Sequence, residues 1–217
     1  MHDPCIRLGG MFLRTGDNVT HTKDHWADRP QWAGGRRQLT FHLTFAGSGL
    51  DGATAGLRAA LEALPALDVV PSRWLHLTLT PIGFTDEVDA DAAAAVADEV
   101  FAGWRAQEPE PAPELWFDTL LIGTEGVLLC PTPASWLDEL VGRQRDAVDR
   151  HLGARDWHPF WAHASLAYAN ASIPVGEVTG ALEEPAGAAS GFAVRPTLSL
   201  LELRCADHLY SWRVLRE

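Results

Sequence analysis

The sharpest pattern in the chain is a strict alternation over Leu75-His76-Leu77-Thr78-Leu79-Thr80. A period of two predicts a strand, with the three leucines on one face and His76, Thr78 and Thr80 on the other. Alternate residues on such a strand stand about 7 Å apart. A second stretch, Phe160 to Tyr168, repeats the theme: His163, Ser165 and Ala167 share a face, and Ala162, Ala164, Leu166 and Tyr168 share the opposite one. A third strand is expected from about Gln38 to Ala46, with Thr40, His42, Thr44 and Ala46 facing away from Phe41, Leu43 and Phe45. Two strands that each carry His-x-Ser/Thr can meet across a cleft and surround one anion with two imidazoles and two hydroxyls.

Between these strands the period changes to that of helices. Leu57, Leu61 and Leu64 mark a helix over about 53–64, which Pro65 ends. Val96, Val100 and Trp104 mark another over 88–106, and Leu137, Leu140, Val141 and Val148 a third over 134–152. Pro81 and Gly83 are expected to stop the first histidine strand. A Pro/Glu linker at 108–113 suggests a pseudo-boundary. A hairpin follows at 115–122 and 127–130, around Gly123-Thr124-Glu125-Gly126. A short helix is expected at 175–182, a small-residue flexible segment at 183–190, and a closing hairpin at 197–204 and 209–215. Residues 1–37 show no clean period and read as an N-terminal arm or lid. Each half thus offers a strand, a helix and a histidine strand. The expected fold class is α+β: one bilobal domain over 38–217, a duplicated α+β unit with mostly antiparallel sheets lining a central groove.

Composition narrows the possibilities. A chain of 217 residues with 47% hydrophobic content can bury a sizeable core. No apolar run is long enough to span a bilayer, so no membrane partner is expected. The polar N-terminus lacks a secretory core, so a cytoplasmic location is expected. Cys5, Cys130 and Cys205 are odd in number and far apart, which suits free thiols better than a disulfide or metal site. With 17 Lys+Arg against 29 Asp+Glu, the net charge of -12 disfavours a grip on a long nucleic-acid duplex. A small ligand or a short end fits better, and a monomer is expected.

The candidate chemistry centres on the histidines. His76 and His163 can share acid and base roles, with Thr78 and Ser165 donating to a phosphate. His42 and Thr44 are a chance match, or line the groove and touch substrate, or replace one member of the pair. Tyr168 and Arg73 are further candidate substrate contacts. Arg36 and Arg37 could reach a phosphate or be solvated. His21 and His25 stand four apart, as helical metal ligands would, but no third ligand is evident. A zinc site built from His42, His76 and His163 is open on ligand type alone, although neighbouring hydroxyls suit phosphate better. Trp26 and Trp32 are aromatics in the arm that a core does not explain; a lid over the groove would.

His76-Leu77-Thr78-Leu79 and His163-Ala164-Ser165-Leu166 resemble the paired H-x-[ST]-x motifs of the two-histidine (2H) phosphoesterases, in the branch of 2′-5′ RNA ligase-like proteins. Pro71-Ser72 before His76, Pro81-Ile82-Gly83-Phe84 after Thr80, and Leu166-Ala167-Tyr168 after Ser165 extend the resemblance. It covers roughly 38–217. It implies a bilobal α+β fold, a central groove, no metal and no cofactor, and hydrolysis of a 2′,3′-cyclic phosphate or a related nucleotide or RNA-end phosphodiester. It also implies His76 as acid and His163 as base. RNA 2′-5′ ligation and a nucleotide or RNA-end binding module without turnover are the alternatives. A binding module has no need of two titratable groups.

Overall fold

The computed structural model describes residues 6–8, 10–106 and 113–217. Cys5 and most of the expected linker lie outside them. Eleven strands are seen among the described residues: β1 (Ile6–Leu8), β2 (Met11–Thr15), β3 (Gln38–Thr44), β4 (Leu67–Val69), β5 (His76–Phe84), β6 (Leu115–Gly123), β7 (Gly126–Pro131), β8 (Ala164–Ala169), β9 (Phe192–Val194), β10 (Thr197–Ala206) and β11 (Leu209–Arg216). Four helices accompany them: α1 (Leu50–Glu62), α2 (Ala90–Ala106), α3 (Ser135–Leu152) and α4 (Val175–Ala188).

The strands run in the order β1-β2-β6-β7-β8-β5-β3-β10-β11, with β4 on β8 and β9 on β6. Every pairing is antiparallel except β2 with β6. The middle of this order is its thinnest point: β5 and β8 meet through one bridge, Leu77 with Ala164. That junction divides the sheet into two lobes. One holds β3, β5, β10 and β11 under α2 and α3; the other holds β1, β2, β4, β6, β7, β8 and β9 under α1 and α4. The lobes do not follow the chain's two halves. Helix α1 leaves β3 and packs on β4 and β8 of the other lobe, and α3 leaves β7 and packs on β5.

Hydrophobic spacing explains these packings. Leu50, Thr54, Leu57 and Leu61 form the buried face of α1, and Leu137, Leu140, Val141, Ala147 and Val148 that of α3. Three expectations need correction. Strand β5 continues through Pro81 and Gly83, because two register shifts against β3 absorb them. There β5 pairs with β3 alone, so the N–H that Pro81 lacks interrupts no second ladder. Helix α4 runs past 182 to Ala188 and carries Pro185 within it, because Ala186 is buried against the second lobe. The arm, finally, is not irregular throughout its described residues. Met11 and Leu13 are buried, and β2 forms the parallel ladder with β6.

The rest of the N-terminal segment is held by backbone bonds. Thr22 N–H donates to the Ile173 carbonyl at 2.9 Å, Lys23 N–H to Thr124 at 2.7 Å and His25 N–H to Ala169 at 2.8 Å. It therefore lies along the end of β8, where the site is built.

Candidate active site

The single bridge of Leu77 with Ala164 determines the site's symmetry. In an antiparallel register, that pairing sets His76 opposite Ser165 and Thr78 opposite His163. The two His-x-Ser/Thr motifs are thus related by a local two-fold and present their side chains to one cavity. It has a volume of about 190 Å³ and is lined by His76, Thr78, His163 and Ser165 together with Leu203, Tyr168, His25 and Tyr210.

The two imidazoles are held alike. His76 Nδ1–H donates to the Trp74 carbonyl at 2.8 Å, and His163 Nδ1–H donates to the Trp161 carbonyl at 3.0 Å. A carbonyl only accepts, so each neutral ring carries its proton on Nδ1 and keeps Nε2 free as a base. Each protonated ring presents Nε2–H as an acid. Burial pushes His76 down to about 4, against the Trp74 hydrogen bond, and nearby His163 adds to the depression. Burial also lowers His163, again opposed by its carbonyl partner.

Strict alternation along β8 would turn Tyr168 away from His163. The register shows why it does not: Val127 pairs with Ala167 and Leu128 with Ser165, so Leu166 is an extra residue. This bulge brings Ser165 and Tyr168 to the same face. The same device acts in β5, where Phe41 pairs with Thr80 and His42 with Thr78, leaving Leu79 extra. Thr80 is consequently fully buried and does not join the hydroxyl row.

Two lining residues, His25 and Tyr210, were not expected in a catalytic role. His25 stacks on Tyr168 with ring centroids 4.3 Å apart. Its Nε2 is 3.1 Å from the Tyr210 hydroxyl, and its Nδ1 is 2.9 Å from Glu125 Oε2. Arg29 Nη2 donates to the same carboxylate at 2.7 Å. Burial lowers the His25 pKa, with Arg29 assisting and Glu125 opposing. Tyr210 arrives through the β10–β11 turn, where Asp207 and His208 have φ of 51° and 55°. Two residues in that region form the short turn that matches strand twist. Its sequence, Ala206-Asp207-His208, signals a hairpin but not a site. His25 was visible in the sequence only as half of a pair with His21; in the structure His21 bonds Thr20 instead.

Of the four candidate substrate contacts, Tyr168 lines the cavity and the other three do not. His42 has 0% exposure and lies beneath His76, their rings 4.6 Å apart and inclined by 6°. Thr44 is buried and shares a hydrogen bond with Ser199 at 3.0 Å. Arg73 is exposed, over the Trp74 ring. Arg36 is held by Asp86 and Glu87, and Arg37 by Glu202 at 2.6 Å. Trp26 donates its indole N–H to Asp68 at 2.8 Å and packs edge-on to His25. Among the described residues, no group of three or more His, Cys, Asp or Glu is arranged to hold a metal ion.

The fold is shared with LigT and other solved structures. A phosphoesterase of known structure superposes with a TM-score of 0.61 at 21% identity, over 83% of this chain and 96% of its own. E. coli LigT, in complex with 3′-AMP, gives the same TM-score, identity and coverage. TT0787 of Thermus thermophilus gives 0.58 at 18% identity, over 82% of this chain and 95% of its own. No family model matches the sequence, and no curated protein matches it. No helix among the described residues is long and apolar enough to cross a membrane.

Proposed function

We propose that the protein is a metal-independent phosphodiesterase that opens a 2′,3′-cyclic phosphate or a related nucleotide or RNA-end phosphodiester. The observation that carries this reading is the two-fold pairing of His76 with His163 over one cavity. Both Nδ1 atoms are tied to carbonyls, so both Nε2 atoms are available to substrate. LigT has been crystallised with 3′-AMP, ATP, NADP+ and phosphate, which supports a nucleotide as ligand.

One histidine takes a proton from water as the water oxygen bonds to phosphorus. The bond from phosphorus to a ribose oxygen breaks, and the other histidine protonates that oxygen. Thr78 and Ser165 donate to the non-bridging oxygens as charge gathers there. The resemblance implies His76 as acid and His163 as base; burial favours the reverse. His76, held near 4, is neutral at pH 7 and suits the base, which leaves His163 as the acid. Ligation through a 2′-5′ bond would use the same groups in the same direction, with a ribose 5′-hydroxyl in place of water.

Hydrolysis of the four 2′,3′-cyclic mononucleotides in EDTA tests the reading. Turnover is expected to survive EDTA and to fall at least about 100-fold in His76→Ala and in His163→Ala, the scale of a lost acid or base. Turnover that needs a divalent ion, or that persists in either variant, contradicts it.

A further inference from the structure

The small cavity offers an anion no fixed positive charge. Among the described residues that line it there is no lysine or arginine, so a positive charge facing the anion must sit on a histidine. A phosphodiester brings one negative charge, and attack on phosphorus gathers more on its non-bridging oxygens. The proposed mechanism protonates one of His76 and His163 and keeps the other neutral. His25 is the remaining imidazole on the wall, and that mechanism leaves it unused. Its ring is 9% exposed and bonded at both nitrogens. Glu125 Oε2, from the β6–β7 turn, lies 2.9 Å from Nδ1, and the Tyr210 hydroxyl of β11 lies 3.1 Å from Nε2. A carboxylate only accepts, so Nδ1 carries the proton of the neutral ring and Nε2 accepts the Tyr210 O–H. Arg29 donates to the same carboxylate, which offsets its charge. Tyr168 of β8 stacks on the ring, Asp24 favours its protonation, and Cys205 of β10 lies against Tyr210. Burial holds His25 below the ordinary imidazole value, so it is neutral at pH 7 in the free protein.

We propose that Glu125, His25 and Tyr210 form a proton-coupled relay for anion binding: when an oxyanion occupies the cavity, His25 takes a proton at Nε2, and the Tyr210 O–H turns from His25 to donate to the anion. The reversal follows from what each group can donate and accept. Neutral His25 accepts the phenol proton, which leaves only oxygen lone pairs toward the cavity. The imidazolium Nε2–H donates to that oxygen instead, and the phenol proton is released for the ligand. The proton comes from solvent, and the N–H bond at Nε2 is the one covalent bond made. A neighbouring cavity of about 450 Å³, walled by Val19, Leu128 and Trp161 on the His163 side, also reaches His25 and gives that proton a route. Glu125 then holds the imidazolium through a charge-assisted bond. The group of Glu125, Arg29 and His25 passes from neutral to one net positive charge beside the anion. Tyr210 is thus a third hydroxyl for the phosphate, beside Thr78 and Ser165, and His25 and Glu125 are positioning residues that act through it. The relay rests on the reading of this cavity as a phosphodiester site.

Sulfate tests the relay without turnover, because it has no titratable proton near neutrality. Heteronuclear NMR of the imidazole rings in the intact protein reads their charge and tautomer, and His25→Gln identifies the His25 signals. At pH 7 the free protein is expected to show a neutral His25 ring with its proton on Nδ1, and saturating sulfate to convert it to the imidazolium. Tyr210→Phe, which removes only the hydroxyl, is expected to bind sulfate about tenfold more weakly or worse. Glu125→Gln removes the anion beside Nδ1 and is expected to lower the pH at which sulfate-bound His25 protonates by about one unit or more. A His25 ring that stays neutral with sulfate bound overturns the relay, as does undiminished sulfate affinity in folded Tyr210→Phe or a wild type that binds no sulfate. Hydrolysis of cyclic mononucleotides, measured separately, decides the phosphodiesterase reading. A wild type that turns over while His25 stays neutral refutes the relay alone; one that hydrolyses nothing but shows the expected sulfate response refutes the phosphodiesterase reading and retains the relay.

Discussion

Each of the two motif histidines, His76 and His163, is governed by one hydrogen bond and by its depth. The carbonyls of Trp74 and Trp161 select the tautomer, and burial lowers both pKa values. The sign of the pH dependence follows. A base is lost as pH falls through the His76 value of about 4. On the proposed roles, an acid is lost as pH rises through the His163 value, which burial holds below that of an ordinary imidazole. The pair titrates as a unit, so the observed values are macroscopic. With a cyclic mononucleotide, kcat/KM is expected to be bell-shaped with an optimum on the acid side of neutrality. A profile that is flat from about pH 5 to 9 contradicts these roles. His42 acts differently, from beneath His76. His42→Ala is expected to retain a substantial part of kcat while losing roughly 2–4 kcal/mol of stability to the cavity left behind. Denaturant melts beside rate measurements check this, and equal loss of rate at His42, His76 and His163 would mean that the site is misassigned.

At the scale of elements, the sequence showed which residues could share one cavity but not which way all of them point. His76, Thr78, His163 and Ser165 were legible from alternation and motif because the bridge at Leu77 and Ala164 lies within regular strand. Tyr168 and Thr80 were misplaced because the extra residues Leu166 and Leu79 each invert the period beyond them. A bulge leaves no signature in hydrophobic pattern, since Leu166 and Leu79 are apolar either way. The β6–β7 turn illustrates a tighter constraint. A Cβ on Gly126 would lie 2.2 Å from the Ala167 carbonyl oxygen, and its φ is +156°. Gly126→Ala is therefore expected to push β7 from β8 at the residue that precedes Tyr168. A loss of about 1–3 kcal/mol with a raised KM is the expected outcome, and an unchanged melting curve would contradict it.

Across the whole molecule, the expected α+β class and the two lobes were legible because helix and strand periods are clean. The exchange of α1 and α3 between lobes was not, since nothing local to either helix says which sheet it covers. The N-terminal segment escaped notice for a related reason. Strand β2 is short, and its partner β6 is distant in sequence and parallel to it. Its contribution can be measured. Burial of Met11 and Leu13 is worth about 1.5–3 kcal/mol each, and the backbone bonds of Thr22, Lys23 and His25 add to that. A chain beginning after His25 is expected to melt well below the full chain, by about ten degrees or more, or to be insoluble. Coincident thermal unfolding curves would mean that this segment is an accessory after all.

The two-fold at Leu77 and Ala164 implies one thing more. Exchanging His76-Leu77-Thr78 for His163-Ala164-Ser165 leaves the imidazoles and hydroxyls nearly unchanged, so the histidine pair has no intrinsic left or right. Handedness comes from the walls: Trp161, Leu128 and Val19 lie on one side alone. On the proposed function, the pair would break a bond and its surroundings would select which bond. Remodelling those walls while leaving both histidines in place is thus a route to changing which ribose oxygen retains the phosphate.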